Sequence, residues 1–153
     1  MAGKLKQEIK QTRPFPSLQE EVILTMARTA DQLAQPLNEV LREAGLSASQ
    51  YNVLRILRGA GESGLPCGEI SERMIRRDPD LTRLLDRLEK HGLVSRARGT
   101  SDRRVVRATL TDEGERVLES LDTPVKTAMK NALAHMSSER LALLAELLDE
   151  ARR

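Results

Sequence analysis

Apolar side chains return at three- and four-residue intervals through most of this chain, the spacing of helices that bury one face. Leu18, Val22, Met26, Leu33, Leu37 and Leu41 fall on or near one stripe, which predicts a long helix over residues 17–44, opened by Ser17 and ended by Gly45. Pro36 lies inside it and is expected to kink it, because proline removes one helical hydrogen bond. A second helix is expected from Ser49 as its cap to about Arg58, with Tyr51, Val53, Leu54 and Leu57 turned inward. Gly59, Gly61 and Gly64 read as a loose loop closed by Pro66, and residues 67–75 (CGEISERMI) as a short third helix.

The pattern changes character over residues 78–111. Asp78 is expected to cap a helix with Pro79 in its first position, where a missing N–H costs nothing. Leu81, Leu84, Leu85 and Leu88 make its apolar face; Asp80, Thr82, Arg83, Asp86, Arg87 and Lys90 make the opposite one. His91-Gly92 ends it. A short strand, a basic tip and a second strand follow, in which Val106, Ala108 and Leu110 alternate with Val105, Arg107 and Thr109. Two helices across a tight turn, then a β-hairpin, is the order of a winged helix-turn-helix.

Thr111 then caps a long helix carrying Asp112 and Glu113 in its first turn, with Val117, Leu118, Leu121, Val125, Met129 and Leu133 apolar and Pro124 expected to bend it. Ser137 caps the last helix, with Met136 placed to staple onto Leu141. Leu141, Leu143, Leu144, Leu147 and Leu148 make that helix too apolar for a lone surface helix. Such a flank usually finds a partner subunit, so residues 17–44 and 112–153 are the expected homodimer interface, a self-contained helical core being the alternative. The fold class is therefore mainly α with a small β-wing. Residues 1–16 form a flexible basic arm, 17–153 a single domain, and 45–111 its winged-helix region.

Charge sharpens this picture. The formal net charge of the 153 residues is only +2, yet residues 73–107 alone carry a net +6 while the segments on either side are net acidic. Positive charge concentrated on a helix and wing supplies the salt-dependent phosphate term of nucleic-acid binding. Aromatic residues make up 1% of the chain, which argues against stacking platforms for single strands and favours duplex DNA.

Other functions are disfavoured by what the chain lacks. One cysteine cannot form an intramolecular disulfide framework or a cysteine-based zinc cage, which suits a cytoplasmic location. No apolar run approaches 18 residues, and the basic N-terminus lacks the apolar core of a secretory signal, so no membrane association is expected. No catalytic constellation and no Gly-rich phosphate loop is present, so neither an enzyme nor a resident cofactor is expected. His91 and His135 suit helix C-termini better than a metal site, and no metal is expected.

The stretch LTRLLDRLEKHGLVSR, followed by SDRRVVRATLTDEGERVL, resembles the MarR family of bacterial winged-helix regulators. The resemblance extends over roughly residues 18–150 and includes the Asp-x-Arg wing signature at Asp102-Arg103-Arg104 and the Leu110-Thr111-x-x-Gly114 step. It implies a homodimer joined by its terminal helices, bound to a palindromic double-stranded DNA operator with recognition helices in the major groove and wings over the minor groove. It also implies repression as the common mode, relieved when a small, often phenolic or anionic, effector binds between the dimer base and the DNA-binding lobes. With so few aromatics, an effector pocket would be lined by aliphatic side chains, Tyr51, arginine and backbone groups.

Carried onto this sequence, the resemblance suggests an Asp102–Arg104 salt bridge shaping the wing tip. Arg103 is then best placed to enter the minor groove, with Arg104 as the alternative. Thr82 and Arg83 match exposed positions early in the recognition helix, where Arg83 suits the O6 and N7 of guanine. Arg76, Arg77, Arg87, Lys90 and Arg98 complete the expected DNA-contacting set. The turn Arg76-Arg77-Asp78-Pro79-Asp80 departs from the family, where many members carry small hydroxyl residues; its two carboxylates need an arginine to neutralise them near phosphate. Two other readings stand beside this one. A winged helix can serve protein interaction without reading DNA. Cys67, at the start of a helix, can act as a redox switch if its thiol is acidified there.

Overall fold

The computed structural model describes residues 4–99, 102 and 104–153, and the expected elements appear in it with shifted ends. Helix α1 (Leu5–Glu8) is one turn inside the expected flexible arm. Its Leu5 is buried. Helix α2 (Leu18–Glu43) is capped by the Ser17 hydroxyl, which accepts from the Glu20 N–H, and stops at Gly45 in the left-handed region. It runs through Pro36.

Helix α3 (Ala48–Ala60) begins two residues earlier than expected. Ser47, not Ser49, is its cap, because Gln50 sits three residues on and returns the bond: Ser47 Oγ accepts from the Gln50 N–H at 3.1 Å and Gln50 Oε1 from the Ser47 N–H at 2.9 Å. After a turn at Gly61–Ser63, a two-residue strand, β1 (Leu65–Pro66), precedes α4 (Cys67–Arg73). The stretch was expected to be only loop. Gly64 makes the approach possible: a Cβ there would lie 2.2 Å from the Ala108 carbonyl oxygen, and its φ is +57°. Arg107 completes the closure by donating to the carbonyls of Ser63 and Gly64 at 3.0 and 2.9 Å.

Helix α5 (Leu81–Lys90) also starts later than expected. Asp80 caps it, accepting from the Arg83 N–H at 3.2 Å, while Asp78 accepts from the Asp80 N–H at 2.9 Å and shapes the turn before it. Pro79 therefore precedes the helix instead of opening it. Strands β2 (Val94–Arg98) and β3 (Val106–Leu110) form the wing hairpin, and the sheet order is β1-β3-β2, all antiparallel, with Ala108 between Leu65 and Arg96.

Helix α6 (Asp112–Ala132) starts at Thr111, whose hydroxyl accepts from the Gly114 N–H and donates to the Gly92 carbonyl at 2.6 Å. It runs through Pro124 and packs along α2. One core joins Leu41 of α2, Val53, Leu54 and Leu57 of α3, Ile70 of α4, Leu84, Leu85 and Leu88 of α5, Ala108 of β3, and Leu118, Leu121 and Val125 of α6. The winged helix is thus welded to the two long helices. Helix α7 (Ser138–Glu150), capped by Ser137, buries none of its residues.

Candidate nucleic-acid interface

Helix α5 is held so that one face is fixed and the other offered. Leu84, Leu85 and Leu88 are buried; Thr82, Arg83, Arg87 and Lys90 are exposed on the other side. Arg83 stands beside its own cap, with Nε 3.8 Å from Asp80 Oδ2. The two turn carboxylates are therefore engaged: Asp78 with the Asp80 N–H, and Asp80 with the N–H and guanidinium of Arg83. Arg83 and Arg87 share a polar cleft of about 340 Å³ with Asp78 and Asp80 of the turn and with Ser47, Ser49 and Gln50 at the start of α3. The start of α3 and both the carboxylates and the guanidinium groups at the start of α5 thus face the same space.

A second arginine governs the acidic residues on α5 itself. Arg96 of β2 donates from Nε and Nη2 to Glu89 Oε2 at 3.1 and 2.7 Å, and from Nη2 to Asp86 Oδ1; its backbone N–H donates to Glu89 Oε1 at 3.1 Å. These bonds hold the Glu89 carboxyl below its usual pKa and the Arg96 guanidinium above its own. Asp86 was expected among the DNA-facing polar residues; its charge is instead spent on the wing. The clamp ties α5 to β2 and leaves Arg83, Arg87 and Lys90 as its cationic surface. Arg96 was missed by the sequence reading. It fell in the short strand expected before the basic tip, but nothing local shows a partner seven residues back.

The wing tip departs from the expected salt bridge. Asp102 Oδ1 accepts from the backbone N–H of Arg104 at 2.9 Å, and the hairpin closes through Gly99 N–H to the Val105 carbonyl at 2.8 Å and Val105 N–H to the Asp102 carbonyl at 3.1 Å. Asp102 thus shapes the turn through backbone, which leaves the Arg104 side chain exposed. Arg98 is exposed at the end of β2, and Arg76 and Arg77 are exposed in the turn before α5. Arg103, expected to enter the minor groove, lies outside the described residues.

Behind this surface is a second, mostly apolar cleft of about 320 Å³, between Leu37 of α2, Met129 of α6, the face of α3 and the turn at Ile75 and Arg76. Tyr51 and Arg55 line it, the Arg55 guanidinium 5.9 Å from the Tyr51 ring centre. Among the described residues no carboxylate lines it, so its charge is positive. Cys67 is part-buried against the core at the start of α4.

Comparison with known proteins agrees with this geometry. The MarR family model matches residues 46–106. The chain is 38% identical to a MarR transcription factor from Planctomyces limnophilus, with 89% of this chain and 98% of that one aligned at a TM-score of 0.68. It is 26% identical to a mutant MarR from E. coli solved in complex with operator DNA, over 88% and 98% of the two chains at a TM-score of 0.78. It is also 29% identical to the HTH-type transcriptional repressor MdtR of Bacillus subtilis, over 85% of this chain and 83% of that protein. No helix among the described residues is long and apolar enough to cross a membrane. The chain belongs to the MarR family of winged helix-turn-helix transcriptional regulators, which are not enzymes.

Proposed function

We propose that the protein is a homodimeric repressor that reads a palindromic duplex operator and is released by a small anion with an apolar body. The observation that carries DNA reading is the face of α5. Its acidic residues Asp80, Asp86 and Glu89 are each bonded within the protein, and Thr82, Arg83, Arg87 and Lys90 are left exposed to meet the duplex as donors and cations. Arg83 reads a guanine; Arg76, Arg77, Arg87 and Lys90 hold phosphates; Arg98, Arg104 and Arg103 serve the wing.

Dimerisation rests on uncovered apolar surface. Leu18 and Ile23 near the start of α2 are 71% and 60% exposed, and Leu143 and Leu147 of α7 are each 54% exposed. Surface of this kind on the two ends of one chain suits a partner subunit. Effector control rests on the Arg55–Arg76 cleft, whose apolar walls and two guanidinium groups suit a carboxylate or phenolate ring. Part-burial of Cys67 as a small hydrophobe favours ligand control over a redox switch.

The test is a gel shift with duplex selected from a random pool, titrated with bulk competitor and then with benzoate. Specific binding that survives competitor and is lost with benzoate, in wild type and in Cys67→Ser alike, is expected. Competition by any DNA at equal mass defeats operator reading; a peroxide response that vanishes in Cys67→Ser defeats ligand control.

A further inference from the structure

The turn between α4 and α5 aims the recognition helix, and it is weakly anchored. Met74, where α4 stops, is buried, but the next side chain, Ile75, is 88% exposed and holds nothing in place. The backbone there is held instead from α3: Asn52 Oδ1 accepts from the Ile75 N–H at 2.9 Å. This bond spans 23 residues of sequence and lies six residues before Leu81, the first residue of α5. Both of its partners line the apolar cleft together with Leu37, Met129, Arg55 and Arg76. Whatever fills that cleft therefore touches the bond that fixes the turn, and finds in the Ile75 side chain an apolar group that gains by being covered.

We propose that Asn52 is a positioning residue for operator reading: its amide oxygen holds the Ile75 backbone, sets the approach of α5, and is the point at which occupancy of the cleft is converted into movement of the recognition helix. The inference rests on α5 reading DNA and on the cleft as control site. The chemistry is plain. The Asn52 amide is a single acceptor for a single N–H, with no second side chain sharing the task among the described residues. An occupant that draws the Ile75 side chain inward rotates that N–H away, and the helix that follows loses its reference to α3. The energy needed is that of one net hydrogen bond, enough to change specific affinity without unfolding the lobe.

The experiment needs no ligand, so its failure is distinct from failure of the benzoate titration. Asn52→Leu keeps the shape and removes the acceptor; Asn52→Asp keeps an acceptor. Met129→Trp fills the cleft from α6 and supplies the chain's only tryptophan as a fluorescent reporter. Affinities for the selected duplex and for competitor DNA are measured for each, with melting temperature and exchange of the Ile75 amide. Asn52→Leu is expected to lose about tenfold in specific affinity and to expose the Ile75 amide, with competitor affinity and melting little changed. Asn52→Asp should stay within about threefold of wild type, inside the scatter of one conserved hydrogen bond. Met129→Trp should weaken the wild type and add little to Asn52→Leu, the non-additivity of two changes that act through one bond. The proposal is overturned if Asn52→Leu binds the selected duplex as wild type does, if the Asp and Leu variants are equally weak, if Met129→Trp leaves the wild type unaffected, or if its effect simply adds to that of Asn52→Leu.

Discussion

Individual arginines divide into those that face outward and those that hold the frame. Arg83, outward, is oriented by Asp80, so Arg83→Ala should cost roughly 1–3 kcal/mol in operator affinity and relax preference at one base per half-site. Binding-site selection repeated with the variant measures both; an unchanged base profile removes Arg83 from the reading set. Arg96, inward, gives a pH signature. Its bonds lower the folded pKa of Glu89, so the unfolded chain takes up that proton first as pH falls. The stabilisation is complete above the ordinary carboxylate range of about 4 and disappears as pH drops through and below it. Arg58, bidentate to Asp122, lowers that carboxyl in the same direction. Urea unfolding of wild type and Arg96→Met should therefore differ at pH 7, and the gap should narrow as pH falls below the carboxylate range. A gap that widens on acidification contradicts the clamp. Neither Arg96 nor Asn52 was legible in the sequence, because each acts on a partner that only tertiary folding brings near.

Elements were legible where a period ran long enough to be counted. The stripes of α2, α3, α5, α6 and α7 and the alternation of β3 all appear where the pattern put them. Helix starts were less legible, since Ser47-Ala48-Ser49 and Asp78-Pro79-Asp80 each offer two acceptors two residues apart. The chosen cap has a second contact in each case, from the Gln50 side chain to Ser47 and from the Arg83 guanidinium to Asp80. Strand β1 was invisible because two residues carry no period, and its cause lies across the sheet in Gly64 and Arg107. The joint between wing and α6 is tightly built as well. A Cβ on Gly114 would lie 2.4 Å from the Leu93 carbonyl oxygen and 2.6 Å from Leu110 Cδ1. Gly114→Ala should destabilise by about 1–3 kcal/mol through overpacking, and Thr111→Val by about 1 kcal/mol through the lost cap. Calorimetry reads both; a Gly114→Ala protein that melts with the wild type shows that α6 can shift freely, which the packing denies.

At the scale of the molecule, the winged-helix region shares its core with two long helices, and α2 and α7 carry apolar surface that the single chain leaves open. The proposed dimer follows from that surface. Leu147→Glu should yield a folded monomer in sedimentation and abolish tight operator binding, because one recognition helix alone forfeits half the contacts. A dimer that survives this change moves the interface elsewhere. Paired reading of DNA by two α5 helices is tested most directly by hydroxyl-radical footprinting of the wild-type protein on its selected duplex. Two symmetric protected half-sites with centres about one helical turn apart are predicted, flanked by wing protection in the minor groove. A single asymmetric footprint, or protection no stronger than on competitor DNA, would contradict it.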